Sequence, residues 1–207
     1  MKILFQGDSI TDFGRSREDD NVVGTGYVLL VKSALGFEEP GKYEFINRGV
    51  GGDRVVDVYA RIKRDIINLK PDVISILLGI NDVWHDLYDS PNGVSAEKYY
   101  KIYDMLISEI KEELPDVKIM IMEPFVLRCQ NSEKNWEYLE SETRLRSQKA
   151  RELCKKHNLT FIPLQAGFDE LTKKQDAKYW LSDGVHPTPM GHEYIKNEWI
   201  KAFKTIV

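Results

Sequence analysis

The sequence has few of the features that mark secreted, membrane-bound or disulfide-stabilised proteins. Cys129 and Cys154 are the only two cysteines among 207 residues, too few for a disulfide framework, so we expect reduced thiols and a cytoplasmic protein. The apolar start of the chain is too short for a signal peptide. The densest apolar run, residues 73–80, is much shorter than the roughly 20 residues of a membrane span.

Positive charge is not in excess either. Lysine and arginine total 29 against 33 acidic residues, a formal net charge of −4. This balance argues against a nucleic-acid-binding surface and against an electrostatic membrane anchor. Hydrophobic residues make up 42% and charged residues 30% of the chain, a globular composition that excludes wholesale disorder. Since we find no repeat, low-complexity segment or linker, we predict a single domain over residues 1–207.

What the chain does contain is an alternation of short strand-like runs and longer helix-like segments. The strands are predicted at residues 2–6, 43–46, 73–78, 117–122 and 160–163, and the helices at residues 26–35, 55–69, 95–114, 137–157 and 190–203. Such alternation predicts a parallel sheet with right-handed crossovers and helices on both faces. Ligands of these sheets bind at the carboxyl ends of the strands. The residues that follow each strand therefore matter most for function.

Ser9 directly follows the first predicted strand, in the segment GDSIT at residues 7–11. It could be a turn serine that caps the next segment. It could also be a nucleophile whose hydroxyl needs a base to accept its proton. The segment is not the G-x-S-x-G elbow of other hydrolases, because position 11 is threonine.

A histidine near the end of the chain is the best partner for such a serine. Among the four histidines, only His186 has an acid three residues before it, Asp183, and a proline after it. An aspartate at this spacing across a glycine-containing turn can reach the imidazole and stabilise its protonated form. The alternatives are a local turn contact or a metal pair with His192, and the chain lacks further ligands at metal-site spacing. We expect the other three histidines to be surface or packing residues.

Two further segments could supply hydrogen-bond donors. Residues 51–53 follow the second predicted strand, and Asn81 lies in the segment GIND, residues 79–82, after the third. Acyl transfer needs donors aimed at the developing oxyanion, and both a glycine N–H at a turn and an asparagine amide can serve. Ordinary turn formation explains the glycines equally well. A dinucleotide-binding loop is excluded, because Arg54 stands where the third glycine of that fingerprint would fall.

Together these segments resemble the four sequence blocks of the SGNH hydrolases, also called GDSL-type esterases. The matching residues occur in the family's order, at 7–10, 49–53, 79–82 and 183–186. The resemblance implies an α/β fold, a three-layer α/β/α sandwich with a five-stranded parallel sheet of the SGNH or flavodoxin-like kind. It also implies a serine esterase that works through an acyl-enzyme and needs no cofactor or metal.

The same resemblance assigns roles to individual residues. Ser9 would be the nucleophile, His186 the general base, and Asp183 the residue that orients His186. The oxyanion would be bound by the backbone N–H groups of Ser9 and Gly52 and by the side chain of Asn81.

A narrower resemblance is to intracellular acetylxylan esterases of this family. It is carried by residues 7–12, 24–27, 47–49 and 79–84, and it implies a small ester substrate, an acetylated oligosaccharide. Candidate substrate contacts are Asp8, Trp84 and Trp180, where the tryptophans could stack on a sugar ring or simply pack in the protein. The alternatives are a short-chain lipase, a lysophospholipase or a thioesterase, and a ligand-binding module without activity on the same fold.

Two apolar segments bear on assembly. Residues 34–37 and 125–127 are hydrophobic stretches that a domain of this size need not bury. Exposed apolar patches commonly mark protein contacts, and symmetric homo-oligomers are the commonest soluble assemblies. These segments therefore predict a homo-oligomer, unless both fold into the core.

Overall fold

A computed structural model describes all residues from 1 to 207. Its five strands form one wholly parallel sheet in the order β2-β1-β3-β4-β5. The strands are β1 (Lys2–Gly7), β2 (Glu44–Asn47), β3 (Val73–Leu77), β4 (Lys118–Met122) and β5 (Thr160–Ile162). The structure confirms all five predicted strands, and each observed bound lies within one residue of the predicted one.

The strands form where the sequence is apolar on both faces. Every residue of β3 is buried, which is typical of a parallel strand covered by helices on both sides. Alternate residues point to opposite faces, so Val73 and Leu77 join one hydrophobic cluster while Ile74 and Ile76 join the other. The run is therefore apolar on both faces, with the buried Ser75 as its one polar residue.

Eleven α-helices connect and flank the strands. They are α1 (Ser9–Asp12), α2 (Tyr27–Glu38), α3 (Val55–Ala60), α4 (Ile62–Asp65), α5 (Ile80–Trp84), α6 (Ala96–Glu113), α7 (Gln130–Glu133), α8 (Trp136–His157), α9 (Gln165–Leu171), α10 (Ala177–Trp180) and α11 (Pro189–Phe203). Two short 3-10 turns cover Ile67–Leu69 and His85–Leu87. None of the helices is long and apolar enough to cross a membrane.

The helices form two layers, one on each face of the sheet. Helices α2 and α11 pack in the cluster with Phe5, whereas α3, α4, α6 and α8 pack in the cluster with Leu4. Leu4 and Phe5 are neighbours on β1, so adjacent residues of one strand face different layers. This arrangement is the predicted three-layer α/β/α sandwich.

The prediction of one continuous helix over residues 55–69 is wrong. The segment divides into α3, α4 and a 3-10 turn, because Arg61 and Ile66 leave helical geometry, with φ of −111° and −133°. Buried Val55, Val58, Ile62 and Ile66 keep the spacing of a helical face through these breaks, which is why periodicity alone predicted a single helix. The predicted end of α2 at Gly36 is also early, because the helix continues to Glu38.

The two apolar segments behave differently. Phe125, Val126 and Leu127 are 1%, 2% and 4% exposed, so the expectation that this segment offers apolar surface is wrong. Its backbone contacts the turn at residues 183–186, because the Leu127 N–H donates to the Gly184 carbonyl oxygen at 2.9 Å. Phe37, in contrast, is 90% exposed at the end of α2. A homo-oligomer remains a prediction that rests on this residue.

The strand order determines where a ligand site can form. The chain leaves β1 toward β2 on one side and then crosses to β3 on the other, so β1 and β3 flank the topological switch point of the sheet. Helices α1 and α5 begin directly after these two strands. Residues Ser9 and Asn81, which lie in those helices, are thereby brought to the same edge.

Candidate active site

Ser9 is the first residue of α1, a helix of four residues. Asp8 caps this helix, since its Oδ1 accepts the Ile10 N–H at 2.9 Å, and Phe13 ends it in the left-handed conformation. Ser9 is half-buried and lines a pocket at this edge of the sheet. Its Oγ lies 2.9 Å from Nε2 of His186.

His186 is held by an aspartate on the same turn. Its Nδ1 lies 2.7 Å from Oδ2 of Asp183. The other carboxylate oxygen, Oδ1, accepts the backbone N–H groups of Val185 at 2.9 Å and His186 at 2.8 Å. Gly184 adopts a φ of +98°, and a Cβ there would lie 2.5 Å from the Leu127 carbonyl oxygen. Only glycine fits at this point, so the turn that presents Asp183 and His186 depends on it.

The electrostatics of this pair favour a charged Asp183 and a basic His186. Burial raises the pKa of Asp183, but hydrogen bonds from the His186 ring and from the two N–H groups outweigh it and lower the pKa to about 2. The hydrogen bond to Asp183 raises the pKa of His186 above its ordinary value, against the effect of burial. His186 is therefore a stronger proton acceptor than a free histidine.

Asn81 and Gly52 lie on the same pocket as Ser9 and His186, and this pocket has a volume of about 290 Å³. The Asn81 Nδ2 donates to the Asp53 carbonyl oxygen at 3.1 Å. An amide nitrogen carries two hydrogens, so the second is available to a ligand. Gly52 has a φ of +84°, and neither its N–H nor that of Ser9 has an acceptor within the protein. Three N–H donors are thus free in one place.

The turn that carries Gly52 is supported from behind. The Arg61 guanidinium binds both carboxylate oxygens of Asp53 and donates to Oδ2 of Asp65 at 2.8 Å. Asp53 is 6% exposed, so this ion pair is largely screened from water. Sequence reasoning missed Arg61, because no motif links it to a turn eight residues earlier.

Asn47 ties the first and second blocks together. Its Nδ2 donates to the carbonyl oxygens of Thr11 at 2.6 Å and Val23 at 2.8 Å, and its Oδ1 accepts the Gly49 N–H at 2.9 Å. These bonds join α1, the loop before α2 and the glycine-rich turn. They set the position of Gly52 relative to Ser9.

The structure does not support Asp8 as a substrate contact. Its side chain is 0% exposed, and burial raises the pKa of Asp8 to about 7 despite the bond from Ile10. The second carboxylate oxygen is buried without a hydrogen-bond partner. Asp8 therefore shapes α1 beneath Ser9 and does not reach the pocket surface.

The two candidate tryptophans are placed differently. Trp84 lines the pocket, but Trp180 is not among the lining residues. Trp180 packs on Tyr179 with ring centroids 4.9 Å apart, and its Nε1 donates to the Gln175 carbonyl oxygen at 3.2 Å. Sequence reasoning missed the second aromatic side chain of the pocket, Tyr88, which follows the GIND block in a segment without any motif.

The other three histidines pack against, or form hydrogen bonds with, residues that are not part of the Ser9–His186–Asp183 series. His192 is 1% exposed, accepts the Tyr27 N–H on Nδ1 at 3.0 Å and packs against Phe13 with ring centroids 4.1 Å apart. Burial lowers the pKa of His192 to about 4. His157 lies 2.6 Å from Asp104, and His85 packs on Tyr88. The structure contains no group of three or more side chains that could hold a metal ion.

Known proteins resemble this chain along most of its length. The family model of the GDSL-like lipases and acylhydrolases matches residues 5–194. The chain belongs to this family. It is 35% identical to an acetylxylan esterase of Geobacillus stearothermophilus over 97% of this chain and 92% of that protein. This GDSL-family chain is accordingly a carboxylic ester hydrolase.

Solved structures of family members superpose closely. A protein of Parabacteroides merdae ATCC 43184 matches with a TM-score of 0.92 and 36% identity, covering 98% of this chain and 95% of that one. Axe2, an acetylxylan esterase of Geobacillus stearothermophilus, matches with a TM-score of 0.83 and 32% identity, covering 97% and 93%. Variants of Axe2 in which a serine or an aspartate is replaced by alanine are described as catalytic mutants.

Proposed function

We propose that this esterase hydrolyses short-chain carboxylic esters through an acyl-enzyme on Ser9. The observation that carries the proposal is the hydrogen-bonded series from Ser9 Oγ to His186 Nε2, at 2.9 Å, and from His186 Nδ1 to Asp183, at 2.7 Å. A nucleophile, a base and a group that orients the base are the three parts that acyl transfer to a serine requires.

In the first half of the reaction, His186 Nε2 accepts the proton of Ser9 as Oγ attacks the ester carbonyl carbon. The new C–O bond gives a tetrahedral intermediate, and the Asp183 carboxylate stabilises the imidazolium. His186 then donates the proton to the leaving alcohol oxygen, and the ester C–O bond breaks. Water attacks the acyl-enzyme in the second half, again with His186 as the base, and releases the acid and free Ser9.

The negative charge of each tetrahedral intermediate needs hydrogen-bond donors. We assign this role to the backbone N–H groups of Ser9 and Gly52 and to the free hydrogen of Asn81 Nδ2. These donors are already oriented before the substrate binds, because Asp53 and Asn47 hold the groups that carry them. Such preorganised donors stabilise the transition state more than the ground state.

For the substrate we propose acetyl esters of carbohydrates such as xylo-oligosaccharides. The acetylxylan esterase relative supports this class. So does the pocket, whose volume of about 290 Å³ suits a small acyl group, with Trp84 in its wall. Short-chain lipase, lysophospholipase and thioesterase activities use the same machinery and remain the alternatives.

Labelling of the nucleophile tests the mechanism. We expect a fluorophosphonate probe to label the native protein at Ser9, and Ser9→Ala to abolish both labelling and hydrolysis of p-nitrophenyl acetate. Ser33→Ala is the matched control, since Ser33 is an exposed serine on α2 that should not affect either. Undiminished ester turnover in Ser9→Ala would refute the acyl-enzyme on this residue. A native protein in which Ser9 is inert to the probe and esters are not hydrolysed would instead favour the ligand-binding module without activity.

A series of acyl chains tests the substrate. We expect kcat/KM to fall steeply from acetyl to octanoyl esters, and acetylated xylo-oligosaccharides to be better substrates than long-chain esters. A preference for octanoyl esters would favour the lipase alternative.

A further inference from the structure

We propose that Tyr88 forms a binding subsite for the sugar ring of the alcohol part of the substrate. This inference rests on the proposed function, and it names a residue that no motif of the chain indicates. Tyr88 lines the pocket of Ser9 and His186 although it belongs to the segment between α5 and α6. Its side chain is 51% exposed, so it lies at the mouth of the pocket.

The position of Tyr88 is defined by contacts at the base of its loop. The Asn92 N–H donates to the His85 carbonyl oxygen at 2.9 Å, and the Gly93 N–H donates to Asp86 Oδ1 at 3.0 Å. The Tyr138 hydroxyl donates to the other oxygen of Asp86 at 2.8 Å. Both ends of the loop are thus held together and fastened to α8. A loop fixed in this way loses little entropy when a ligand binds its tip.

Gly93 shows how closely the two ends of the loop approach. A Cβ at this position would lie 2.3 Å from the Asp86 carboxylate. A side chain at position 93 would therefore displace the Asp86 carboxylate, which accepts the hydrogen bonds from Gly93 and Tyr138.

The Tyr88 side chain is only partly engaged within the protein and is half exposed. Its ring packs on His85, with centroids 4.8 Å apart, and its hydroxyl has no hydrogen-bond partner within the protein. A tyrosine combines an apolar ring with a polar tip. A pyranose ring has a matching character, with C–H groups on its faces and hydroxyls at its edge.

The acyl part and the alcohol part of an ester would bind to different residues of the pocket. The acyl carbonyl must lie between Ser9 and the donors of Gly52 and Asn81, all three of which line the pocket. A small acyl group fills only part of a pocket of about 290 Å³, which leaves the aromatic wall of Tyr88 and Trp84 to the alcohol part. A long acyl chain would need a closed apolar channel, whereas this wall is open to solvent at Tyr88.

The test compares an acetylated xylo-oligosaccharide with ethyl acetate, which has no ring to stack. We expect Tyr88→Ala to lower the ratio of the two kcat/KM values, sugar ester over ethyl acetate, by about 3- to 10-fold, mainly through a higher KM for the sugar ester. Tyr88→Phe keeps the ring and should retain more than half of this selectivity. Tyr179→Ala is the control, because Tyr179 is 42% exposed but does not line the pocket, and it should leave the ratio unchanged.

Binding can be measured separately from turnover. In the Ser9→Ala background, we expect Tyr88→Ala to weaken the binding of the acetylated xylo-oligosaccharide, measured by calorimetry, by a similar factor. An unchanged ratio and unchanged binding would overturn the subsite, and so would equal losses on both esters. If the native protein reacts with the fluorophosphonate probe at Ser9, and unlabelled native protein hydrolyses ethyl acetate without selectivity for the sugar ester, the carbohydrate substrate fails while the mechanism stands.

Discussion

The side-chain amide of Asn81 is hydrogen-bonded to the backbone carbonyl oxygen of Asp53, with a distance of 3.1 Å between Nδ2 and that oxygen. This bond joins the turn after β2 to the helix after β3. The adjacent Asp82 makes a second connection, because its carboxylate accepts the Val55 N–H at 3.1 and 3.2 Å. The two donors that we assign to the oxyanion, at Gly52 and Asn81, are therefore held at a fixed separation.

Replacing Asn81 by alanine tests its role in the transition state. We expect Asn81→Ala to lower kcat by about 10²- to 10³-fold with little change in KM, because the lost hydrogen bond strengthens as the oxyanion forms. Steady-state kinetics on an acetyl ester provide the measurement, and Asn68→Ala, at an exposed position, is the control. A large rise in KM with a normal kcat would instead make Asn81 a ground-state contact.

Asp82 should matter for stability as well as for rate. Asp82→Ala leaves the buried Val55 N–H without an acceptor, which we expect to cost about 1–3 kcal/mol in the free energy of unfolding, measured by urea denaturation. It should also lower kcat, because the connection between α5 and α3 is lost. Asp82→Asn keeps an acceptor oxygen and should recover most of the stability. The exposed Asp116 offers a control, and a loss as large in Asp116→Ala would contradict this account.

The two neighbouring glycines should respond differently to alanine. Gly52 has a φ of +84°, a conformation that costs an L-residue about 1–2 kcal/mol, so Gly52→Ala should displace the N–H donor and lower kcat. A Cβ on Gly51 would meet only Ser9 Cβ at 3.8 Å and Asp12 Oδ2 at 3.9 Å, which are ordinary contacts. Gly51→Ala should therefore remain active. Equal activity of the two variants would remove Gly52 from the oxyanion site.

The pH dependence should report the His186–Asp183 pair. The hydrogen bond to Asp183 raises the pKa of His186 above its ordinary value of 6.5, and only the neutral imidazole can accept the Ser9 proton. The value of kcat/KM should thus fall as the pH drops through a midpoint above 6.5.

Asp183→Asn removes the carboxylate that stabilises the imidazolium. We expect the acid limb of the pH profile to move to lower pH, and kcat to fall by about 10²- to 10⁴-fold, because the asparagine no longer enforces the correct tautomer. A limb that stays in place in Asp183→Asn would assign it to another group. Asp8, whose pKa burial raises to about 7, would then be the first to examine.

The strands were predictable because they are covered on both faces and therefore read as continuous apolar runs. Residues such as Ser9 and Asn81 could be located because they directly follow those runs. The short helices α1, α5 and α10, with four, five and four residues, were not predictable, since the apolar period of a helix needs a longer window to show.

Other parts of the site depend on tertiary contacts. Trp180 lies two residues before Ser182 and three before Asp183, yet α10 directs it toward Tyr179 and away from the pocket. Tyr88 reaches the pocket because Asp86 and Gly93 close its loop. For both residues, distance along the sequence from the catalytic blocks does not predict whether the side chain lines the pocket.

The hydrogen bond between Ser9 and His186 joins residues 177 positions apart. Ser9 follows the first strand and the turn with His186 comes after the fifth, so their contact closes a segment that contains every crossover of the sheet. Closing so large an intervening segment is among the slow events of folding. Ester turnover recorded during refolding should therefore lag behind the recovery of helical circular dichroism. The rate of product formation would then report when the contact between Ser9 and His186 forms.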